Sequence, residues 1–184
     1  MNRDLERVLF SEAEIAKKVK EAGIWLGERL KDVKTMPLAI GVLKGSVIFM
    51  CDIIRAMTTP VELDFMTVSS YGNGTESKGT LTVKNDLTAD VKGRDVILIE
   101  DIVDTGYTLY NLRDMILKRG ARSFTTVTLF DKPSRRKVDI KADYSCFEVG
   151  DEFIVGYGLD YAQKYRNLPC VGILKPQIYE NKDE

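Results

Sequence analysis

An amphipathic helix is the clearest element in the pattern of apolar and polar positions. Ser11 and Glu14 have the spacing of a capping box, in which each side chain binds the backbone amide of the other residue. From there to about Leu30, apolar residues recur every three or four positions, as on one face of a helix: Ile15, Val19, Ala22 and Leu26. The pattern predicts a helix over residues 11–30.

Short apolar runs alternate with helical patterns through the middle of the chain. Runs rich in β-branched and aromatic residues predict strands at 37–43, 61–70, 80–85, 96–99 and 123–130. Helical patterns occupy residues 46–57 and 109–119. In the strand at 61–70, we expect Val61, Leu63, Phe65 and Thr67 to lie on one face. This alternation predicts an α/β fold, with a mainly parallel twisted sheet and right-handed crossovers, flanked by helices.

The two ends of the chain lie outside this alternation, and we expect them to form a small hood over the strand ends. We predict one domain over residues 1–184, with a core at about 37–145 and a hood from about 1–36 and 146–184. The polar tail from Pro176 is expected to be frayed. Residues 71–79 contain three glycines and no large aliphatic side chain, which predicts a mobile flap at about 69–80.

Composition excludes several classes of protein. The net charge of −1, from 27 basic and 28 acidic residues, argues against a nucleic-acid partner, and no run approaches the ~20 apolar residues of a membrane span. Three cysteines without metal-like spacing indicate reduced thiols in a cytoplasmic protein. Because the chain has no histidine, acid–base chemistry falls to other side chains. A metal would be held by oxygen ligands, which favours magnesium over zinc.

Candidate chemistry is concentrated at residues 96–108. An apolar strand is followed by Glu100 and Asp101, then by a turn of small residues at 104–106 and a helical pattern. Ligands of open α/β sheets bind at the carboxyl ends of strands, and helix N-termini offer free N–H groups to phosphate. Adjacent carboxylates suit sugar hydroxyls or a hard cation. This order predicts a site for a phosphorylated sugar; the alternative for Asp104 is an ordinary helix N-cap.

Residues 96–108, which read VILIEDIVDTGYT, resemble the phosphoribosyl-pyrophosphate signature of the type I phosphoribosyltransferases. Residues 43–46 (LKGS) resemble the pyrophosphate loop of that family, and residues 69–72 (SSYG) resemble the start of its closing flap. Three further stretches match the branch that acts on 6-oxopurines, in its bacterial form: 129–133, 153–160 and 165–169. The resemblance spans nearly the whole chain.

The resemblance implies a reaction of purine salvage. The 5-phosphoribosyl group would pass from phosphoribosyl pyrophosphate to hypoxanthine or guanine, giving IMP or GMP and pyrophosphate, with Mg²⁺ as cofactor. Asp104 would be the catalytic residue, exchanging a proton with N7 of the purine. Members of the family usually assemble, so the resemblance also implies a homodimer or a homotetramer.

The resemblance further assigns residues to each subsite. Contacts to phosphoribosyl pyrophosphate or the nucleotide would come from Leu43, Lys44, Gly45, Ser70, Tyr71, Glu100, Asp101, Ile102, Val103, Asp104, Thr105, Gly106, Tyr107, Thr108 and Arg166. The purine would contact Lys132, Phe153, Ile154 and Asp160, and the metal ligands would be Glu100, Asp101 and Asp160. Lys132 would bind the 6-oxo group and Phe153 would stack on the base. A cis peptide bond between Leu43 and Lys44 is also implied.

These assignments have structural alternatives. Glu100 and Asp101 would then form a solvated strand end, Lys132 would be a surface lysine, Phe153 would belong to the core, and Arg166 would form a surface salt bridge. The basic run at 135–137 is expected to be a solvated edge or a subunit contact.

Two other functions share parts of the pattern. A regulator that binds nucleic acid and senses ribose phosphate would keep the same fold, but the net charge of −1 and the lack of a basic tail argue against it. An aspartic protease carries the sequence Asp-Thr-Gly, found here at 104–106. The single copy and the helical pattern that follows do not suit that all-β class.

Overall fold

A computed structural model describes residues 3–70 and 81–179 of the chain. The strands are β1 (Leu5–Phe10), β2 (Leu38–Leu43), β3 (Glu62–Ser70), β4 (Leu81–Asn85), β5 (Asp95–Val103), β6 (Ser123–Asp131), β7 (Tyr144–Glu148), β8 (Ile154–Val155) and β9 (Val171–Leu174). The helices are α1 (Glu12–Leu30), α2 (Val47–Ala56), α3 (Tyr107–Lys118) and α4 (Pro176–Tyr179). A short 3-10 turn, Pro133–Arg135, follows β6.

A six-stranded sheet forms the centre of the fold, in the spatial order β4-β3-β2-β5-β6-β7. Neighbouring strands run parallel except β3 and β4, which are antiparallel. The central strands β2 and β5 are apolar and buried for most of their length, as expected of parallel strands covered on both faces. The predicted α/β fold with a mainly parallel sheet flanked by helices is confirmed.

Helices cover both faces of the main sheet. Ile97 and Ile99 of β5 pack in one core cluster with α1 and α2, whereas Val96 and Leu98 pack in the other with α3. This division follows from the alternation of side chains along a strand. The last residues of β5 therefore lie at an edge of the sheet that has helices on both faces.

The predicted N-terminal helix is present with its capping box. The Ser11 side chain accepts a hydrogen bond from the Glu14 amide, and the Glu14 carboxylate accepts one from the Ser11 amide at 2.8 Å. The apolar face of α1 packs against α2 and β7. The placement of α1 in the hood is therefore corrected, because its apolar face is buried against the main sheet.

A second sheet, antiparallel and in the order β1-β9-β8, joins the two ends of the chain. The predicted hood would correspond to this sheet together with the connection between β8 and β9. β7 belongs to the main sheet up to Glu148, so the predicted border at residue 146 falls inside a core strand. Strand β1 was not predicted, because its apolar and polar residues do not alternate and its central residues are exposed.

Two local expectations are corrected by pairing and packing. β5 continues to Val103, because Ile102 and Val103 still pair with β6, so Glu100 and Asp101 belong to the strand. The face that carries Leu63 is not fully covered, since Leu63 is 44% exposed whereas Val61 and Phe65 are partly buried. The tail from Pro176 begins with helix α4.

Three further expectations concern a membrane-spanning helix, the state of the cysteines and the flap. Within residues 3–70 and 81–179, no helix has the length and apolar character needed to cross a membrane. The three cysteines are free thiols, with Cys146 and Cys170 buried and Cys51 exposed. Most of the predicted flap, residues 71–80, lies outside the described residues.

Candidate active site

A cavity of about 390 Å³ opens where the central strands end. Val42 of β2 and Val68 of β3 line it, together with residues 100–106 and the first turn of α3. Ligands of α/β proteins bind at this edge of the sheet, beyond the carboxyl ends of the strands. The segment predicted to bind a phosphorylated sugar therefore surrounds one cavity.

Two carboxylates lie at this end of β5: Glu100 is buried and Asp101 is partly buried. Glu100 is 6% exposed, and burial together with the neighbouring Asp101 charge raises its pKa well above the ordinary value. Burial also raises the pKa of Asp101 to about 6, while the Ile102 amide and the Arg166 charge act in the opposite direction. No described lysine or arginine forms an ion pair with either carboxylate. The pair is not the solvated strand end of the structural alternative.

Helix α3 begins without a side-chain cap. Its N-cap is Gly106, in the left-handed conformation at φ +88°, where a Cβ would lie 2.9 Å from the side chains of Arg136 and Ile140. Asp104 is therefore not the N-cap, contrary to its structural alternative. Uncapped N–H groups and the helix dipole favour an anion at this position.

The same geometry removes one alternative function. The Asp-Thr-Gly sequence at 104–106 connects a parallel strand to a helix, and the chain is an α/β protein. The aspartic protease hypothesis is therefore wrong.

The loop at 43–46 packs closely against the end of β5. The peptide bond between Leu43 and Lys44 is cis, as the resemblance implies. A Cβ at Gly45 would lie 1.5 Å from the Asp101 Oδ2 atom, and a Cβ at Gly158 would lie 2.1 Å from the Gly45 carbonyl oxygen. Because neither position has room for a larger side chain, glycine allows the loop, the Asp101 carboxylate and the hood to meet.

The hood places an ion pair beside this loop. Arg166 binds the Asp160 carboxylate at 2.6 Å and donates to the Gly158 carbonyl at 2.7 Å, and the Gln163 amide donates to the other Asp160 oxygen at 2.8 Å. The charges of Arg166 and Asp160 both act on Asp101. The pair therefore belongs to the cavity region, rather than to a remote surface.

The metal ligand set implied by the resemblance is not assembled as a cluster of three. Within the described parts of the chain, no three Asp, Glu or Cys side chains are grouped to hold a metal ion. Glu100 and Asp101 are adjacent in a strand, so their side chains leave it on opposite faces. Asp160 lies near enough for its charge to act on Asp101, so these two carboxylates remain as candidate oxygen ligands.

Lys132 is buried, with 7% of its surface exposed. Its ammonium donates to the Glu152 carbonyl at 2.8 Å, and its amide donates to the Val103 carbonyl at 2.9 Å. Burial lowers the pKa of the ammonium. Since an ammonium has three donors, the group retains capacity for a ligand, and the surface-lysine alternative is wrong.

Phe153 is 38% exposed and does not belong to the core. Its ring stacks on Tyr179 with centroids 5.0 Å apart and meets Tyr161 edge-on at 5.7 Å. The next residue, Ile154, is buried in β8. The contribution of Tyr179 was missed, because the tail was expected to be frayed.

The basic run after β6 is largely exposed, as expected of a solvated edge, and it also binds the loop at 104–106. Arg135 Nε donates to Asp104 Oδ1 at 2.6 Å, and Arg136 donates to the Asp104 carbonyl at 2.6 Å. The Lys137 amide donates to the Thr105 carbonyl at 2.9 Å. No sequence signal connects these residues, which are brought together by the pairing of β5 with β6.

Two predicted flap residues cannot be located in the site. Ser70 is the last residue of β3, and Tyr71 lies outside the described residues. Their roles at the reaction centre stay predictions.

Comparisons with known proteins agree with this geometry. Residues 11–162 match the phosphoribosyl transferase domain family. The hypoxanthine-guanine phosphoribosyltransferase of Bacillus subtilis is 56% identical over 98% of this chain and 99% of its own length. The corresponding protein of Streptococcus pneumoniae is 48% identical over the same shares.

Solved structures show the same relationship. A hypoxanthine phosphoribosyltransferase from Staphylococcus aureus superposes with a TM-score of 0.90 at 47% identity, covering 97% of this chain and 96% of that one. The Trypanosoma cruzi enzyme gives a TM-score of 0.93 at 36% identity, covering 98% and 96%. With sequence, fold and cavity in agreement over nearly its whole length, the chain belongs to the phosphoribosyltransferase family.

Proposed function

We propose that this chain is an enzyme of purine salvage that transfers the 5-phosphoribosyl group from phosphoribosyl pyrophosphate to hypoxanthine or guanine. The products are IMP or GMP and pyrophosphate. One observation carries the proposal: a single cavity joins the uncapped start of α3, the buried carboxylates of β5 and Asp104. Relatives that match the full chain carry the name of this enzyme, which leaves a non-catalytic regulator without support.

The sugar phosphate end of the substrate fits the start of α3. Backbone N–H groups at 105–108 would bind the 5-phosphate, and the Thr105 and Thr108 hydroxyls would add donors. Glu100 and Asp101 would accept hydrogen bonds from the ribose hydroxyls. These bonds would add to the backbone amide hydrogen bonds that the two carboxylates accept in the free protein.

The pyrophosphate end fits the loop at 43–46. Backbone N–H groups of Lys44 and Gly45 would bind it, and Arg166 would neutralise part of its charge as it departs. Ser70 and Tyr71 are proposed to close over the reacting atoms and exclude water, which would otherwise hydrolyse the activated sugar.

The transfer breaks the bond between ribose C1 and the pyrophosphate oxygen and forms one between C1 and purine N9. Charge develops on the ribose as in glycoside cleavage. The purine loses its N7 proton, for which the Asp104 carboxylate is the proposed acceptor. With no histidine in the chain, a carboxylate is a suitable general base for this step.

The purine would lie between Lys132 and Phe153. The Lys132 ammonium would donate to the 6-oxo group, which hypoxanthine and guanine have and adenine lacks, and a polar site of this kind discriminates strongly. The exposed Phe153 ring would stack on the base, and the backbone near Ile154 would contact its edge.

Magnesium is the proposed cofactor. Mg²⁺ prefers oxygen ligands and is bound through one or two carboxylates plus water and substrate phosphates, which fits Asp101 with Asp160 better than a cage of three side chains. Bound there, the ion would neutralise charge on the pyrophosphate leaving group. Glu100 is the remaining proposed ligand and would act from the opposite face of β5.

The assembly and compartment are also proposals. We expect a homodimer or homotetramer, and a cytoplasmic protein in keeping with the three free thiols. Sedimentation or light scattering of the purified chain would measure the assembly.

The test is pyrophosphate release by the purified protein with phosphoribosyl pyrophosphate, magnesium and each purine base in turn. Release with hypoxanthine and guanine but not adenine supports the proposal. No release with any base, despite binding of phosphoribosyl pyrophosphate, would overturn it in favour of a sensor on the same fold.

A further inference from the structure

Arg135 bridges two carboxylates that lie far apart in the sequence. Its Nε donates to Asp104 Oδ1 at 2.6 Å, and its NH1 group donates to Asp151 Oδ1 at 2.6 Å. Asp104 belongs to the loop at 104–106, whereas Asp151 lies two residues before Phe153. The Arg135 side chain therefore connects the loop at 104–106 with the loop that leads to Phe153.

The bridge acts on one oxygen of Asp104 and leaves the other available. Among the residues that the structure describes, Arg135 is the partner of Oδ1, and none donates a hydrogen bond to Oδ2. The backbone of Asp104 is held separately, because Arg136 donates to its carbonyl and pairs with Asp131. The carboxylate is thus fixed in orientation with one oxygen free to accept a proton.

We propose that Arg135 is a positioning residue, which orients the Asp104 carboxylate toward the purine through its bridge to Asp151. The inference rests on the proposed role of Asp104 as proton acceptor. Arg135 touches no reacting atom, so its contribution is geometric. The guanidinium suits this task because its planar fork binds two carboxylates in a fixed arrangement, which a lysine ammonium does not reproduce.

The bridge contributes little to the stability of the fold. The side chains of Arg135 and Asp104 are 44% and 42% exposed, and that of Asp151 is 69% exposed. Exposed ion pairs of this kind have a small effect on unfolding. Misplacing a catalytic group, in contrast, lowers the rate by about 10- to 100-fold. Loss of Arg135 should therefore appear in catalysis before it appears in the melting temperature.

The experiment is steady-state kinetics of Arg135→Gln with hypoxanthine, alongside wild type. We expect kcat to fall by about 10-fold, with the KM for phosphoribosyl pyrophosphate and the melting temperature nearly unchanged. Arg135→Lys should recover part of kcat. Asp151→Asn should lower kcat less, and adding it to Arg135→Gln should cause little further loss, because both changes break one bridge.

Arg119 offers a matched control. It forms a two-pronged ion pair with Asp86 at 2.7 and 2.8 Å, outside the cavity lining, and Arg119→Gln should retain wild-type kcat. Wild-type kcat in Arg135→Gln, or an equal loss in Arg119→Gln, would overturn the inference. Absence of turnover in the wild type would instead contradict the proposed function, so the two failures are distinguishable.

Discussion

Strand β5 carries an acidic side chain at its beginning and two near its end, and their environments are opposite. Asp95 is buried, pairs with Arg122 and accepts a hydrogen bond from Ser123 at 2.6 Å, so its pKa is lowered. Glu100 and Asp101 form no ion pair among the described residues, although backbone amides donate to both and the Arg166 charge acts on Asp101, and burial raises both pKa values. The acidic group at the beginning of the strand is thus compensated by an ion pair, whereas the two near its end are not.

The contrast separates a structural carboxylate from the two that are proposed to bind substrate and cation. A compensated carboxylate stabilises the fold, since its charged form is favoured by its partners. An uncompensated carboxylate costs free energy in the free protein, and such groups persist where a ligand supplies the missing partner. The end of β5 therefore has the properties of a site that is completed by substrate and cation.

The largest effect is expected from Asp104→Ala, in the loop that follows β5. Loss of a general base lowers the rate by about 100- to 10,000-fold, whereas binding of phosphoribosyl pyrophosphate should change little, because backbone amides hold the phosphates. Single-turnover kinetics and equilibrium binding measure the two quantities. A wild-type single-turnover rate would remove Asp104 from the chemistry.

A smaller loss is expected from Asp101→Asn. Removing a charge that binds the ribose or magnesium should lower kcat/KM for phosphoribosyl pyrophosphate by about 100-fold. A magnesium titration of activity measures the effect, and the half-saturating magnesium concentration should rise. Unchanged magnesium dependence would show that Asp101 does not face the cation.

Lys132→Ala tests the purine side of the cavity. Losing a charged donor to the 6-oxo group should lower kcat/KM for hypoxanthine and guanine by about 10- to 100-fold. Lys118→Ala is the matched control, because Lys118 is an exposed lysine in an ion pair with Asp114 at 2.7 Å. Purine kinetics that are the same in both variants would contradict the role of Lys132.

Substitution of Asp95, at the beginning of β5, should change the stability of the fold rather than the rate of the reaction. Asp95→Asn should lower the free energy of unfolding by about 1–3 kcal/mol near neutral pH, while the folded fraction keeps wild-type kcat. Because the pKa of Asp95 is lowered, its contribution is present above the ordinary pKa of 3.8 and is lost as the pH falls below it. Urea unfolding at pH 7 and pH 3 measures the difference, which should shrink in acid.

Asp114→Asn is the control for this change, since Asp114 forms only an exposed pair with Lys118. It should leave the unfolding free energy within about 0.5 kcal/mol of wild type. An equal loss of unfolding free energy in both variants would mean that the Asp95–Arg122 pair stabilises the fold no more than the exposed pair of Asp114 with Lys118.

The sequence was sufficient to predict elements whose residues are contiguous in the chain. The run from β5 through 104–106 to α3 is contiguous, so its strand, loop and helix could be predicted together. The capping box of α1 is likewise local, because Ser11 and Glu14 satisfy each other within one turn. These elements need no information about distant parts of the chain.

Features that depend on distant pairing could not be predicted. β1 lacks the alternation of a strand and forms by pairing with β9 at the other end of the chain. Leu63 followed the expected alternation but is exposed, whereas Asp64 is buried because the amides of Phe65, Thr88 and Ala89 bind its carboxylate. The contact of Arg135 with Asp104 likewise arises from the side-by-side ends of β5 and β6.

The most direct test of the contrast along β5 is urea unfolding of Asp101→Asn beside Asp95→Asn, both without ligand at neutral pH. The account predicts opposite signs: Asp101→Asn is at least as stable as wild type, because a costly buried charge is removed, and Asp95→Asn is less stable. Equal destabilisation of the two variants would contradict the account, since Asp101 would then be compensated within the free protein.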